Sequence, residues 1–226
     1  MVPIRENLLS QSKYDLKVPV ESCAKDMKYI VVHNTANDAS AANEVAYMIR
    51  NDSSTSFNAA VDDKEIVIGI PLNRGAFAAG QRDGNAHGIH IEICYSLSGG
   101  TRFDKAEKNA AEYIAKLLTE RKWDISHVKK HQDFDGKYCP HRTLDKGWAR
   151  FLKMIESEMK DDKKAFEEIE SLVNEYPMDY RYQVILGDVY MQNGKKQEAY
   201  DTYKKVLAAE PDNPMALFSL ASYYEQ

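Results

Sequence analysis

No stretch of this sequence stays apolar for the length a membrane span needs, and its first residues, MVPIRENLLSQSKYD, lack a basic segment followed by an apolar one. The first absence predicts no membrane contact; the second predicts no signal peptide and a chain that is cytoplasmic when made. Positive charge is not in excess either. With 30 Lys and Arg against 35 Asp and Glu, the formal charge of −5 offers no attraction to nucleic acid or anionic lipid. Cysteine is scarce: Cys23, Cys94 and Cys139 are odd in number and far apart, which excludes a disulfide framework and leaves a thiol free for other use. From about Lys146 onward, strand-like patterning is missing altogether.

Before that point strands and helices alternate. The run KYIVVH (28–33) is β-rich and ends on a histidine; SAANEVAYMIRN follows with Val45, Met48 and Ile49 at helical spacing and Ser40 as N-cap. FNAAVDD and EIVIGIP read as a hairpin. In GIHIEICYS (88–96), Ile89, Ile91 and Ile93 take one face while His90, Glu92 and Cys94 take the other. KAEKNAAEYIAKLLTERK places Ala110, Ile114 and Leu117 on one helical stripe. The order predicts an α/β domain with a central mixed β-sheet flanked by helices, over residues 1–158. Tyr29, Tyr47 and Tyr95 read as packing residues, as does Cys94, and no motif singles out Cys23.

Residues 159–226 read as an all-α helical repeat. Ala165 recurs as Ala199, Pro177 as Pro211, Leu186 as Leu220 and Tyr190 as Tyr224, with Gly187 answered by Ala221, a period of 34. Leu186-Gly187, Tyr190, Gly194, Ala199, Tyr203 and Pro211 give a pattern that resembles the tetratricopeptide repeat. No proline or glycine interrupts residues 148–173, which predicts one continuous helix joining the two regions. The array opens on a second helix and stops after a first one. It reads as truncated, in an engineered fusion or a fragment, with uncapped helices open to a peptide or to self-association.

The densest chemistry lies in KKHQDFDGKYCPH (129–141). His131 and Cys139 supply two soft donors from one loop, and His33, at a strand end, is the natural third. Two imidazoles and a thiolate suit zinc better than magnesium or calcium, which take oxygen. His127 and His141 flank the loop, as surface residues or as partners of the ligands.

Together YIVVHNTANDAS, SFNAAVDDKEIV, IHIEICYS and HQDFDGKYCPHRTL resemble the zinc-dependent N-acetylmuramoyl-L-alanine amidases of phage endolysins and bacterial autolysins, kin to peptidoglycan recognition proteins. The resemblance covers residues 1–158 and implies Zn2+ held by His33, His131 and Cys139. It implies Glu92 as the catalytic carboxylate and Lys137 as a cation beside the developing oxyanion. The substrate it implies is peptidoglycan, cut at the amide between N-acetylmuramic acid and L-alanine, with action on the cell wall after release from the cell. Asn34, Asn58, Phe77 and His90 are expected to line the substrate groove. The sequence departs from the family pattern at Asn58, commonly histidine, and at the following Ala59. It departs also at Leu72, Phe77, Ala78 and His90, where the family has an acidic residue, tryptophan, histidine and a small residue. These changes are expected to reshape substrate binding more than metal binding. The alternative they raise is a scaffold or interaction protein built on an altered amidase cleft.

Overall fold

Among the residues 1–22 and 26–224 that the computed structural model of this chain describes, six strands form one sheet. They are β1 (Ile4–Glu6), β2 (Tyr29–Asn34), β3 (Ala59–Val61), β4 (Ile66–Ile68), β5 (Gly88–Ile93) and β6 (Val128–Lys130). Their order is β1-β4-β3-β5-β2-β6, antiparallel only between β3 and β4, so the sheet is mixed. β2 lies inside the sheet and is a nearly continuous apolar run, while β5 beside it alternates; Ile30, Val31, Val32, Ile89 and Ile91 have no exposed surface. The β3–β4 turn is made by Asp62, whose Oδ1 accepts from the backbone N–H groups of Lys64 (2.7 Å) and Glu65 (2.9 Å).

Helices α1 (Tyr14–Lys17), α2 (Ala41–Arg50), α3 (Arg82–His87), α4 (Gly100–Arg121), α5 (Gln132–Asp135) and α6 (His141–Asp145) complete this part. The Ser40 hydroxyl caps α2 by accepting from Asn43 N–H. α2 buries Ala41, Val45 and Met48 and packs on β3 and β4. It comes close enough that a Cβ on Gly69 would meet Met48 Cε at 2.7 Å and Val45 Cγ1 at 2.9 Å, so a larger residue there would make the α2 side chains shift. α4 buries Phe103, Ala110, Ile114 and Leu117 along one stripe.

Helix α7 runs Trp148–Glu175, followed by α8 (Tyr180–Gln192), α9 (Lys196–Ala209) and α10 (Pro214–Tyr224). Two compact units divide the chain: Met1–Leu118 with Trp123–Glu156, and Thr119–Lys122 with the residues from Ser157 on. The second unit is all-helical there, with its core made by Val184, Ala199, Tyr203, Val206 and Ala216. Gly187 sits against the Tyr203 ring, where any Cβ would overlap it, and the Tyr203 hydroxyl donates to Asp188 Oδ1 at 2.7 Å. A small residue of the repeat thus packs against an aromatic one. On α10, Phe218 is 75% exposed and Leu217 48%. Cys23 lies outside the described residues, and none of the described helices is long and apolar enough to cross a membrane.

Candidate metal centre and groove

β2 and β5 run parallel, with Val31 opposite His90 and His33 opposite Glu92. Partners in parallel register share a face, so His33, His90 and Glu92 project to one side of the sheet. β6 lies on the other flank of β2, pairing Val32 with Lys130, and so brings the next residue, His131, to the same strand end. There His131 N–H donates to Val32 O at 3.3 Å. The loop then doubles back: Gly136 takes a left-handed φ of 82°, and Gln132 N–H donates to Cys139 O at 3.0 Å. One candidate donor atom from each of His33, His131 and Cys139 lies within 4.8 Å of the others, and all three residues are buried.

Hydrogen bonds around this cluster decide where its protons sit. His90 Nε2 faces the Gly84 carbonyl at 3.1 Å, and a carbonyl can only accept. That ring is neutral, because burial holds its pKa down to about 3, so its Nδ1 carries a lone pair. His33 Nε2, 3.0 Å away, must therefore be the N–H, which leaves His33 Nδ1 bare. The same logic applies across the cluster. His131 Nε2 faces Asp135 Oδ2 at 3.1 Å and donates to it, which bares His131 Nδ1. Two unprotonated nitrogens thus face each other at 3.1 Å, with Cys139 Sγ at 3.9 Å from His33 Nδ1. Lone pairs so placed repel unless a cation lies between them, and two imidazole nitrogens with a thiol are the donor set for zinc. The residues therefore fit a metal ion.

Burial first, then the neighbouring His90, His131 and Lys137, keep His33 well below the usual imidazole range, and burial likewise lowers His131. Burial also pushes the Cys139 thiol up to about 11, assisted by Glu92, so without a cation the thiol keeps its proton. Glu92 Oε2 is buried and has no hydrogen-bond partner among the described residues. Burial chiefly, and the Glu44 carboxylate next, raise Glu92 to about 8, while Lys137 acts in the opposite sense. Lys137 is exposed, and its charge is felt at His33, Glu92, His131 and Cys139.

Glu92 forms one end of an open groove of about 730 Å³, whose lining includes Thr35, Asn37, Glu44, Tyr47, Arg50 and Phe57. The residues expected to line it fare otherwise. Asn34 is 6% exposed, and its Oδ1 accepts from Arg142 N–H (2.9 Å) and Thr143 N–H (3.2 Å), capping α6. Asn58 has no exposed surface: its amide donates to the carbonyls of Arg74 (2.7 Å) and Pro71 (3.1 Å), and its Oδ1 accepts from His90 N–H (2.8 Å). His90 is equally buried beneath His33. All three are buried, and their side chains are taken up by these bonds within the scaffold. Phe77 is half-buried and does not belong to the groove's lining.

Tyr47, expected to pack, is 61% exposed and lines the groove. Sequence reading also missed Asp135, although its spacing four residues past His131 matches a one-turn contact. His127 stacks on Trp123, with ring centroids 5.0 Å apart, and His141 Nε2 meets Ser96 O at 3.4 Å; neither is bonded to the cluster. Cys94 is a buried free thiol.

Comparison with known proteins bears on the same residues. A family profile described as N-acetylmuramoyl-L-alanine amidase matches residues 24–142, and a tetratricopeptide repeat profile matches 164–214 and 186–226. The chain is 52% identical over 162 residues to N-acetylmuramoyl-L-alanine amidase XlyB of Bacillus subtilis (strain 168), an alignment covering 70% of this chain and 50% of that protein. To amidase CwlA of the same organism it is 53% identical over 163 residues, covering 70% and 59%. It therefore spans only half to three-fifths of the length of these curated relatives. Among solved structures, PlyL superposes with a TM-score of 0.65 at 46% identity, covering 68% of this chain and 97% of that one.

Proposed function

The chain belongs to the N-acetylmuramoyl-L-alanine amidase family and carries tetratricopeptide repeats in its C-terminal region, and from that membership we propose that it hydrolyses peptidoglycan at the amide between the lactyl group of N-acetylmuramic acid and L-alanine. The observation that carries the reading is the pair of bare Nδ1 atoms of His33 and His131, 3.1 Å apart and joined by Cys139 Sγ, beside the unpartnered carboxyl of Glu92.

His33, His131 and Cys139 would hold Zn2+. When bound there, zinc supplies Lewis acidity toward a carbonyl and makes water a nucleophile near neutral pH. Asp135 fixes the His131 ring by accepting from its Nε2–H. Glu92 takes a proton from the attacking water as its oxygen bonds to the lactyl carbonyl carbon. It returns that proton to the alanine nitrogen as the C–N bond breaks, leaving a free lactyl carboxylate and a free amine. Burial raises Glu92 in the metal-free chain, and a cation held beside it would act in the opposite sense and favour the carboxylate that the first transfer needs. Lys137 offsets the negative charge that grows on the carbonyl oxygen. The groove lined by Glu44, Tyr47 and Arg50 would seat the stem peptide, and the site of action is the cell wall.

Incubation with purified cell walls tests the reading. The expected result is release of new amino-terminal alanine, stopped by a chelator and restored by zinc. Walls left intact by a zinc-loaded protein would overturn it and favour the scaffold reading.

A further inference from the structure

We infer that His90 is a positioning residue for the metal centre, fixing the tautomer and the ring orientation of His33 by tying it to the backbone of α3. The sequence departs at this point from the pattern it resembles, which has a small residue there. His90 has no exposed surface, and its two ring nitrogens make two bonds: to His33 Nε2 at 3.0 Å and to the Gly84 carbonyl at 3.1 Å. The carbonyl accepts only, so with both rings neutral the proton order along the line follows. Gly84 O receives the His90 Nε2–H, His90 Nδ1 receives the His33 Nε2–H, and His33 Nδ1 is left bare toward His131 and Cys139.

The surroundings are shaped for this line. A Cβ on Gly88 would meet Val31 Cγ2 at 2.8 Å and His90 Nε2 at 3.0 Å, so the strand opens on glycine where the imidazole passes over it. Asn58 Oδ1 accepts from the His90 backbone N–H at 2.8 Å, while the Asn58 amide is held by the carbonyls of Arg74 and Pro71. The two departures at positions 58 and 90 are thus one device: the asparagine holds the histidine's backbone, and the histidine holds the ligand's ring. His90 touches neither groove nor substrate. Its effect runs through His33.

The inference rests on the zinc reading of the cluster, and its test separates the two. Zinc affinity is measured by chelator competition for the parent, His90→Leu and His90→Gln, with cobalt-loaded absorption spectra as the second readout. Glutamine can accept from His33 and donate to Gly84, so it should keep the parent's affinity and spectrum. Leucine should weaken zinc about 10- to 100-fold and alter the cobalt bands. Nitrogen-detected NMR of the parent stripped of metal should show His33 as the Nε2–H tautomer. That measurement needs no variant, so a His90→Leu chain that fails to fold leaves it decisive. Equal zinc affinity in the leucine variant, or an Nδ1–H tautomer at His33, would overturn the role of His90. A parent that takes up no zinc would overturn the reading of the cluster beneath it.

Discussion

His33 and Glu92 are register partners on adjacent parallel strands, so one proposed ligand and the proposed base are placed side by side by the backbone of the sheet. Neighbouring strands lie about 4.8 Å apart, and the hydrogen bonds between them fix that distance. The two groups with the strictest geometry stand on the most rigid part of the molecule, while His131, Lys137 and Cys139 arrive on a loop folded back against it.

Replacing His33 by alanine removes one of three donors, and the metal should go with it. Elemental analysis of the purified parent should give about one zinc per chain and of His33→Ala close to none. Retention of zinc by the variant would show that the ion sits elsewhere.

Glu92→Gln should retain zinc and lose roughly 10²- to 10⁴-fold in wall hydrolysis. It should also change how stability depends on pH in the chelator-treated protein. Burial pushes this carboxyl up to about 8 in the folded chain, against an ordinary value of 4.5. Between those values the folded chain holds a proton that the unfolded chain has released, so stability falls as pH rises from about 4.5 toward 8. The glutamine variant lacks that slope. Melting curves at pH 5 and pH 8 should show its advantage at the higher pH only.

Lys137→Met should lower kcat about 10²- to 10³-fold with zinc content unchanged. A rise in KM at constant kcat would instead assign the lysine to ground-state binding.

Asn34→Ala should behave as a stability variant. Loss of the cap on α6 should cost about 1–2 kcal/mol in denaturant unfolding. KM should stay where it was. A raised KM would restore the groove role expected from sequence.

In the repeat unit, Tyr203→Ala should cost about 3–5 kcal/mol, because the ring fills the space beside Gly187 and Val184 in a small core. Tyr203→Phe keeps the ring and loses the hydroxyl's bonds to Asp188 and Ser219, about 1 kcal/mol. Unfolding followed by circular dichroism orders the two.

Alternation in GIHIEI correctly assigns His90 and Glu92 to one face, yet only Glu92 reaches the groove. Periodicity specifies the side of a sheet and is silent on depth along the strand: two residues earlier, the same face is already roofed by α3. The strand at Val128–Lys130 escaped notice because two of its three residues are lysines, and pairing with β2 alone makes it a strand. Tyr47 misled for the converse reason. On α2, Val45 and Met48 turn inward, and the position between them is carried round to solvent. That His33, His131 and Cys139 come together was legible because the four blocks stand in family order. The 34-residue period was legible because small and aromatic residues recur where two helices must touch.

The groove draws much of its lining from α2 and the segment after it, whereas the donor atoms come from β2 and the loop beyond β6. Inheritance can act on these separately. Drift at Asn43, Tyr47 or Arg50 would alter the shape and charge of that surface while the donor cluster passes unaltered from ancestor to descendant.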